Sequence, residues 1–189
     1  SVDAVSAWLE MFRGDLVTPG VRLREGVVAQ DAIAENPGVT GSNIVVRRAA
    51  LEALGGFDDD LPVKNDGDFF YRFLAAGHRY AVVPEYLVQQ RKHDSGQLTG
   101  RTEFRAAGLE RYLAKHRSAM RLRDQRTVRL AVHRIRYHAA PHPLGKLRHL
   151  LGGAWNSSPS SVIGSVRGRR ARSFWLTKGA ADAQEPSDR

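Results

Sequence analysis

The chain of 189 residues is 42% hydrophobic and 26% charged and contains no cysteine, which allows one ordinary core, is too short for two large ones, and excludes a disulfide framework, a thiolate nucleophile, a cysteine zinc site and an iron–sulfur cluster. No apolar run approaches the roughly eighteen residues of a membrane span, and Ser1 to Gly14 lacks the basic start and apolar centre of a signal peptide, so a cytoplasmic chain is expected, soluble or peripheral at the inner face of the cell membrane. The net charge of +9 is uneven, with 10 Lys/Arg against 14 Asp/Glu in residues 1–100 and 19 against 6 in residues 101–189, so the second half carries a field that draws phosphate-rich partners without dictating a fold.

In chain order, Val2, Val5, Leu9 and Phe12 stand at spacings of three and four and predict a short amphipathic helix ended near Gly14. Asp15 to Gly38 mixes valine pairs with Thr18-Pro19-Gly20 and Asn36-Pro37-Gly38, the turn chemistry of one or two short strands. Asn43 to Arg47 reads as a buried strand that passes into a helix, Arg48 to Leu54, stopped by Gly55-Gly56. After the acidic turn Asp58-Asp59-Asp60-Leu61-Pro62, a helix is predicted from Asp66 to Ala76 with Phe69, Phe70, Phe73 and Leu74 on its apolar side and Gly77 as its stop. A strand over Arg79 to Val83, a break at Pro84-Glu85 and a second extended stretch, Tyr86 to Arg91, follow. Beyond Gly100 the pattern is helical among many arginines, and it ends in a linker at Ser157 to Ser161 and a disordered tail from Gly179.

The chemistry-bearing blocks are Gly41-Ser42-Asn43, Gly55-Gly56-Phe57-Asp58, Asn65-Asp66-Gly67-Asp68 and Arg91-Lys92-His93, in that order. Taken alone, Asn65, Asp66 and Asp68 suit the cap and first turn of a helix, where acidic and amide side chains meet free N–H groups. Gly55-Gly56 suits a helix stop, and neither a Walker pattern nor Gly-x-Gly-x-x-Gly occurs. His133, His138, His142 and His149 lack interleaved carboxylates, and Pro141 interrupts their only four-residue pair, so they do not read as a metal site.

Across roughly residues 38–100 this order of blocks resembles the C-terminal, acceptor-side half of the catalytic domain in family-2 glycosyltransferases, inverting enzymes of the GT-A fold. The resemblance implies an α/β fold, the C-terminal half of a GT-A-like, Rossmann-related mixed-sheet domain over residues 1–100, followed by a basic helical extension over 101–156 and a linker, basic-aromatic segment and tail over 157–189. It implies transfer of a sugar from a nucleotide-diphosphate donor to the hydroxyl of a glycan or lipid-linked acceptor. Asp66 would be the general base, since a sugar hydroxyl attacks poorly until its proton is accepted, and Asp68 would be left mainly to the first turn. Gly41, Ser42, Asn43, Asn65 and Arg91 would line the acceptor side. Asn65 stands where the family usually has glutamate, which removes one carboxylate beside the base. His93, in an Arg-x-His block, would ligate a divalent metal, manganese or magnesium; the alternative is an exposed loop histidine.

Arg91 is followed by Lys92 rather than completing the Gln-x-x-Arg-Trp of processive synthases, so a single transfer is expected. The family's Asp-x-Asp block should precede this region. Asp58-Asp59-Asp60 matches it in letters but lies in the wrong half, so the chain is expected to be a fragment or one part of a split enzyme. The competing class is a basic binding module without catalysis. Nucleic acid is the weaker partner for it, because no organised recognition motif accompanies the arginines. An anionic membrane surface is the stronger, through Leu144, Leu147, Leu150 and Leu151 among Lys146, Arg148 and His149, and through Arg167 to Arg172 before Phe174-Trp175-Leu176. Against that, the leucines would also serve to complete a core.

Overall fold

The computed structural model describes residues 1–92 and 102–157. It is mixed α/β: four strands in one sheet and six helices among the described residues. The expected helix at Val2 to Phe12 is instead strand β1 (Ala4–Arg13), the centre of the sheet. Its first part pairs antiparallel with β3 (Ile44–Val46), its last part antiparallel with β2 (Leu16–Pro19), and its other edge runs parallel to β4 (Tyr80–Arg91) along nearly its whole length. The helix-like spacing has a physical cause. The register against β4 passes from Ala7↔Val83 to Trp8↔Tyr86 and then to Leu9↔Val88, so inward-facing residues run Ala4, Ser6, Leu9 rather than strictly alternating. Pairing on both edges then decides the conformation over local spacing.

The same irregularity explains β4. Pro84 and Glu85 do not break the strand as expected; they bulge out of it unpaired while the strand continues to Arg91. Between Asp15 and Gly38 only β2 is a strand, followed by the short helix α1 (Ala29–Ala32).

The helix stops hold as read. Helix α2 (Arg48–Ala53) ends with Gly55 N–H on the Glu52 carbonyl and Gly56 N–H on the Leu51 carbonyl, both glycines at positive φ. Helix α3 (Asn65–Ala75) ends the same way, with Gly77 N–H to the Leu74 carbonyl and His78 N–H to the Phe73 carbonyl. The α3 phenylalanines Phe69, Phe70 and Phe73 are fully buried and share a core with Ala4, Leu23, Ala32, Val39 and Ala50, which fixes α3 against the sheet. Burying each ring contributes up to about 3 kcal/mol.

Helices α4 (Glu103–His116), α5 (Leu122–Ala139) and α6 (Pro143–Trp155) follow as predicted in type. Ala106, Leu109 and Tyr112 of α4 and Val128, Val132 and Ile135 of α5 enclose a second core together with Ile33 and Leu61, so α4 and α5 pack against the sheet-bearing part. Pro143 occupies the first turn of α6, where its missing N–H costs nothing. His93, all of the expected linker but Ser157, and the basic-aromatic segment Arg167 to Leu176 lie outside the described residues.

Candidate functional site

The residues around the start of α3 form one connected unit. Lys64, just before α3, sits at φ 64, the left-handed region that a lysine seldom adopts. That turn sends its side chain inward, where Nζ donates to the Ala34 carbonyl at 2.7 Å and lies 4.1 Å from the centre of the Tyr112 ring. Burial lowers its ammonium pKa to about 8, although Asp66 and Glu35 act to raise it.

Asp66 is half-buried. Its Oδ1 accepts the Gly67 N–H at 2.7 Å, and no other side chain is hydrogen-bonded to its carboxylate among the described residues. Burial raises its pKa above the ordinary carboxylate value, against the opposing pull of the Gly67 N–H and the Lys64 charge. Asn65 is exposed and its Oδ1 accepts the Asp66 N–H at 2.8 Å. Neither residue is the N-cap: that position belongs to Lys64, whose side chain makes no capping bond.

Asp68 lies in the first turn of α3, as the sequence suggested, and it is also the meeting point of three other side chains. It is fully buried, and three cationic or donor groups converge on it: His116 Nε2 at 2.6 Å and Lys115 Nζ at 2.7 Å on Oδ1, and Arg72 Nε at 2.8 Å on Oδ2. Burial by itself would raise this carboxyl, but the bonds from His116, Lys115 and Arg72 outweigh it and hold the pKa far below the usual range. Because an ionised carboxylate can only accept, His116 Nε2 is the donor in this contact.

The same cations tie the sequence blocks together. Arg72 donates Nη1 to the Leu54 carbonyl and Nη2 to the Gly56 carbonyl, at 2.6 and 2.7 Å, clamping the Gly55-Gly56 turn onto α3. Lys115 also bridges to Asp58. A shallow depression of about 410 Å³, lined by Leu54, Gly55, Phe57, Asp58, Asp59, Arg72 and Lys115, adjoins this cluster. A second, of about 490 Å³, has Ala34 and Glu35 in its wall, beside Lys64.

The other expected acceptor residues are elsewhere on the sheet. Asn43 is buried and fully committed: Nδ2 donates to the Ala7 and Gly38 carbonyls, each at 2.9 Å, and Oδ1 accepts the Thr40 N–H at 2.6 Å. Gly41 and Ser42 are exposed on that loop, with Ser42 Oγ 3.0 Å from Thr40 Oγ1. Arg91 is exposed at the end of β4, its guanidinium 5.4 Å from the centre of the Phe12 ring. No group of three or more His, Asp or Glu converges as a metal ion requires among the described residues. The expected manganese or magnesium therefore stays tied to His93, outside them, and no step below runs through it.

Three features were missed in the sequence, although the i,i+4 spacing of Asp68 and Arg72 signals one pair of the first. One is the hub around Asp68, whose partners lie 48 residues apart in Asp68 and His116. Another is the inward Lys64. The third is Arg22, which donates Nε to Tyr86 Oη at 2.6 Å and lies 5.0 Å from the centre of the Trp8 ring, so that Trp8, Arg22 and Tyr86 form a cation–aromatic stack across the sheet. No family model matches the chain, and no curated protein or solved structure matches it either.

Proposed function

We propose that the chain is the acceptor-side half of an inverting glycosyltransferase of the GT-A type, with Asp66 as its general base. The observation that supports this most is the contrast between two carboxylates two residues apart. Asp68 is locked in its ionised form by His116, Lys115 and Arg72, whereas Asp66 is met only by backbone N–H groups and has a raised affinity for protons. A general base needs a free oxygen and a pKa brought toward working pH. In the proposed step, an Asp66 oxygen accepts the proton of the acceptor hydroxyl as that oxygen bonds to the anomeric carbon. The carbon–oxygen bond to the nucleoside diphosphate breaks on the opposite face, its electron pair leaves with the diphosphate, and the configuration inverts.

In this reading Asn65, Gly41, Ser42, Asn43 and Arg91 belong to the acceptor side, Asn43 by holding its loop in shape. The nucleotide and diphosphate contacts, with the Asp-x-Asp block and a divalent ion near His93, belong to a separate donor-binding segment. The acceptor is a glycan or lipid-linked hydroxyl, as the resemblance implies. A second reading, a basic module that binds an anionic surface without catalysis, draws on the outward leucines of α6 and is compatible with the first.

The test is Asp66→Asn in an enzyme that carries the donor-binding segment, assayed for transfer from a panel of labelled nucleotide-diphosphate sugars. The amide still accepts the Gly67 N–H, so melting is unchanged, while turnover falls about 10²–10⁴-fold. Near-normal turnover with the enzyme's own acceptor refutes the assignment.

A further inference from the structure

Helix α6 is packed with its apolar side outward. Against α5 it sets Gly152 and Gly153 with His149: a Cβ on Gly152 would fall on the His133 ring, Gly153 lies beside Leu130 and His133, and His149 Nδ1 is 3.3 Å from His133 Nδ1. At 3.6 residues per turn the opposite side carries Leu144, Leu147, Leu150, Leu151 and Trp155. All five are exposed, from 51% for Leu147 to 83% for Trp155, so the leucines do not complete a core. Lys146 and Arg148 stand at the two borders of this face, also exposed. From Asp124 to Asp182 no acidic residue intervenes, while 11 Lys/Arg occur.

We propose that the outward face of α6 is an in-plane anchor for an anionic lipid surface, independent of the transferase reading. Leucines and a tryptophan fill its centre and cations flank it, so the helix lies with its apolar side among acyl chains and its lysine and arginine reach back to headgroup phosphates. No helix among the described residues is long and apolar enough to cross a membrane, which suits a surface attachment. Charge argues against the other occupants. A second copy would bring like-charged borders together, and residues 158–178 would add five more cations and no acid to the same face. A nucleic acid would match the charges but would leave the central leucines facing a phosphate backbone.

The test uses the 189-residue chain, co-sedimented with vesicles of phosphatidylcholine alone and of phosphatidylcholine mixed with phosphatidylglycerol. The parent binds the anionic vesicles, releases as salt rises, and binds the neutral ones weakly. Leu147→Ser with Leu151→Ser lowers partitioning about tenfold or more, with unchanged circular dichroism because both side chains are exposed. Lys146→Gln and Arg148→Gln each lower it about fivefold at low salt. The proposal is overturned if the parent fails to bind anionic vesicles, if it binds neutral ones equally, or if the leucine pair binds like the parent. It is also overturned if the parent is a dimer or pellets without lipid and the leucine pair abolishes that behaviour.

Discussion

Replacing Asp68 by asparagine keeps the shape of the side chain and removes its charge at a point where His116, Lys115 and Arg72 meet. The carboxylate is 0% exposed, while Arg72 and Lys115 are 22% and 32% exposed. Breaking a buried ion pair by removing one partner costs about 3–5 kcal/mol, mostly because the other charge is left uncompensated. Here the two cations recover some hydration, Arg72 keeps the Leu54 and Gly56 carbonyls, and Lys115 keeps Asp58, so the low end of that range, about 3 kcal/mol, is expected. For a chain of this size that lowers the melting temperature by roughly 6–12 °C. The acid response carries a second signature. The folded carboxyl titrates well below its ordinary value of 3.8, so in acid the unfolded chain binds the proton first and stability falls as pH drops below about 4. The parent loses this contribution in acid and Asp68→Asn has none to lose, so urea midpoints of the two converge from pH 7 toward pH 3. A variant within about 1 kcal/mol of the parent at pH 7, or midpoints that stay parallel in acid, would refute the hub as a source of stability.

Two other outcomes follow from buried groups. Lys64 titrates near 8 in the fold against 10.5 when free; the unfolded chain then holds the extra proton between these values, so stability rises with pH across that window, by at most about 3 kcal/mol. Lys64→Met, which keeps the buried stem, flattens that rise in urea titrations from pH 8 to 10, and an unchanged slope would show that Lys64 is not desolvated. Gly152→Ala drives a methyl into the His133 ring, and despite the better helix propensity of alanine the α5–α6 contact loosens by about 1–2 kcal/mol. Hydrogen exchange of residues 143–155 reads this directly, and unaltered protection would mean that the ring moves aside freely.

The parts of the fold that were legible in the sequence are those whose signals are local. Gly55-Gly56 and Gly77 mark helix ends because a positive φ suits glycine, and the phenylalanines of α3 announce its buried side. β1 was misread because the bulge that shifts its facing lies in β4, more than seventy residues away in sequence. The face of α6 was legible only as two alternatives, a membrane contact or part of a core, for a related reason. Leucines at helical spacing predict a buried stripe wherever partners exist, and only the packing of Gly152 and Gly153 on α5 turns them outward. At the candidate site, spacing placed Asp66 and Asp68 at the start of one helix but gave no means of telling them apart. Their difference is made by α4, which reaches Asp68 with Lys115 and His116 and does not engage Asp66.

Asn43 separates a loop-holding role from direct acceptor contact. Its amide joins β1 to the turn at Gly38, which itself admits no side chain: φ is 117 and a Cβ would stand 2.5 Å from the Val21 carbonyl oxygen. Asn43→Ala leaves the Ala7 and Gly38 carbonyls and the Thr40 N–H without this partner, and a cost of about 3 kcal/mol is expected when each unmet buried group costs about 1–3 and part of the set finds water. Asn43→Asp is the sharper probe, since the introduced carboxylate retains the Thr40 bond but presents charge to two carbonyls that it has no hydrogen to satisfy. It should be worse than alanine at pH 7. Protonation supplies one O–H for one of those carbonyls, so the fold raises this carboxyl's pKa above its unfolded value of about 3.9, and stability falls as pH rises through that interval. Melting at pH 5, still above the range in which the Asp68 hub gives way, should therefore recover part of the Asn43→Asp deficit and none of the Asn43→Ala deficit. If the two variants melt alike at pH 7 and respond alike to acid, the Asn43 amide is not engaged as described and is free to meet a ligand.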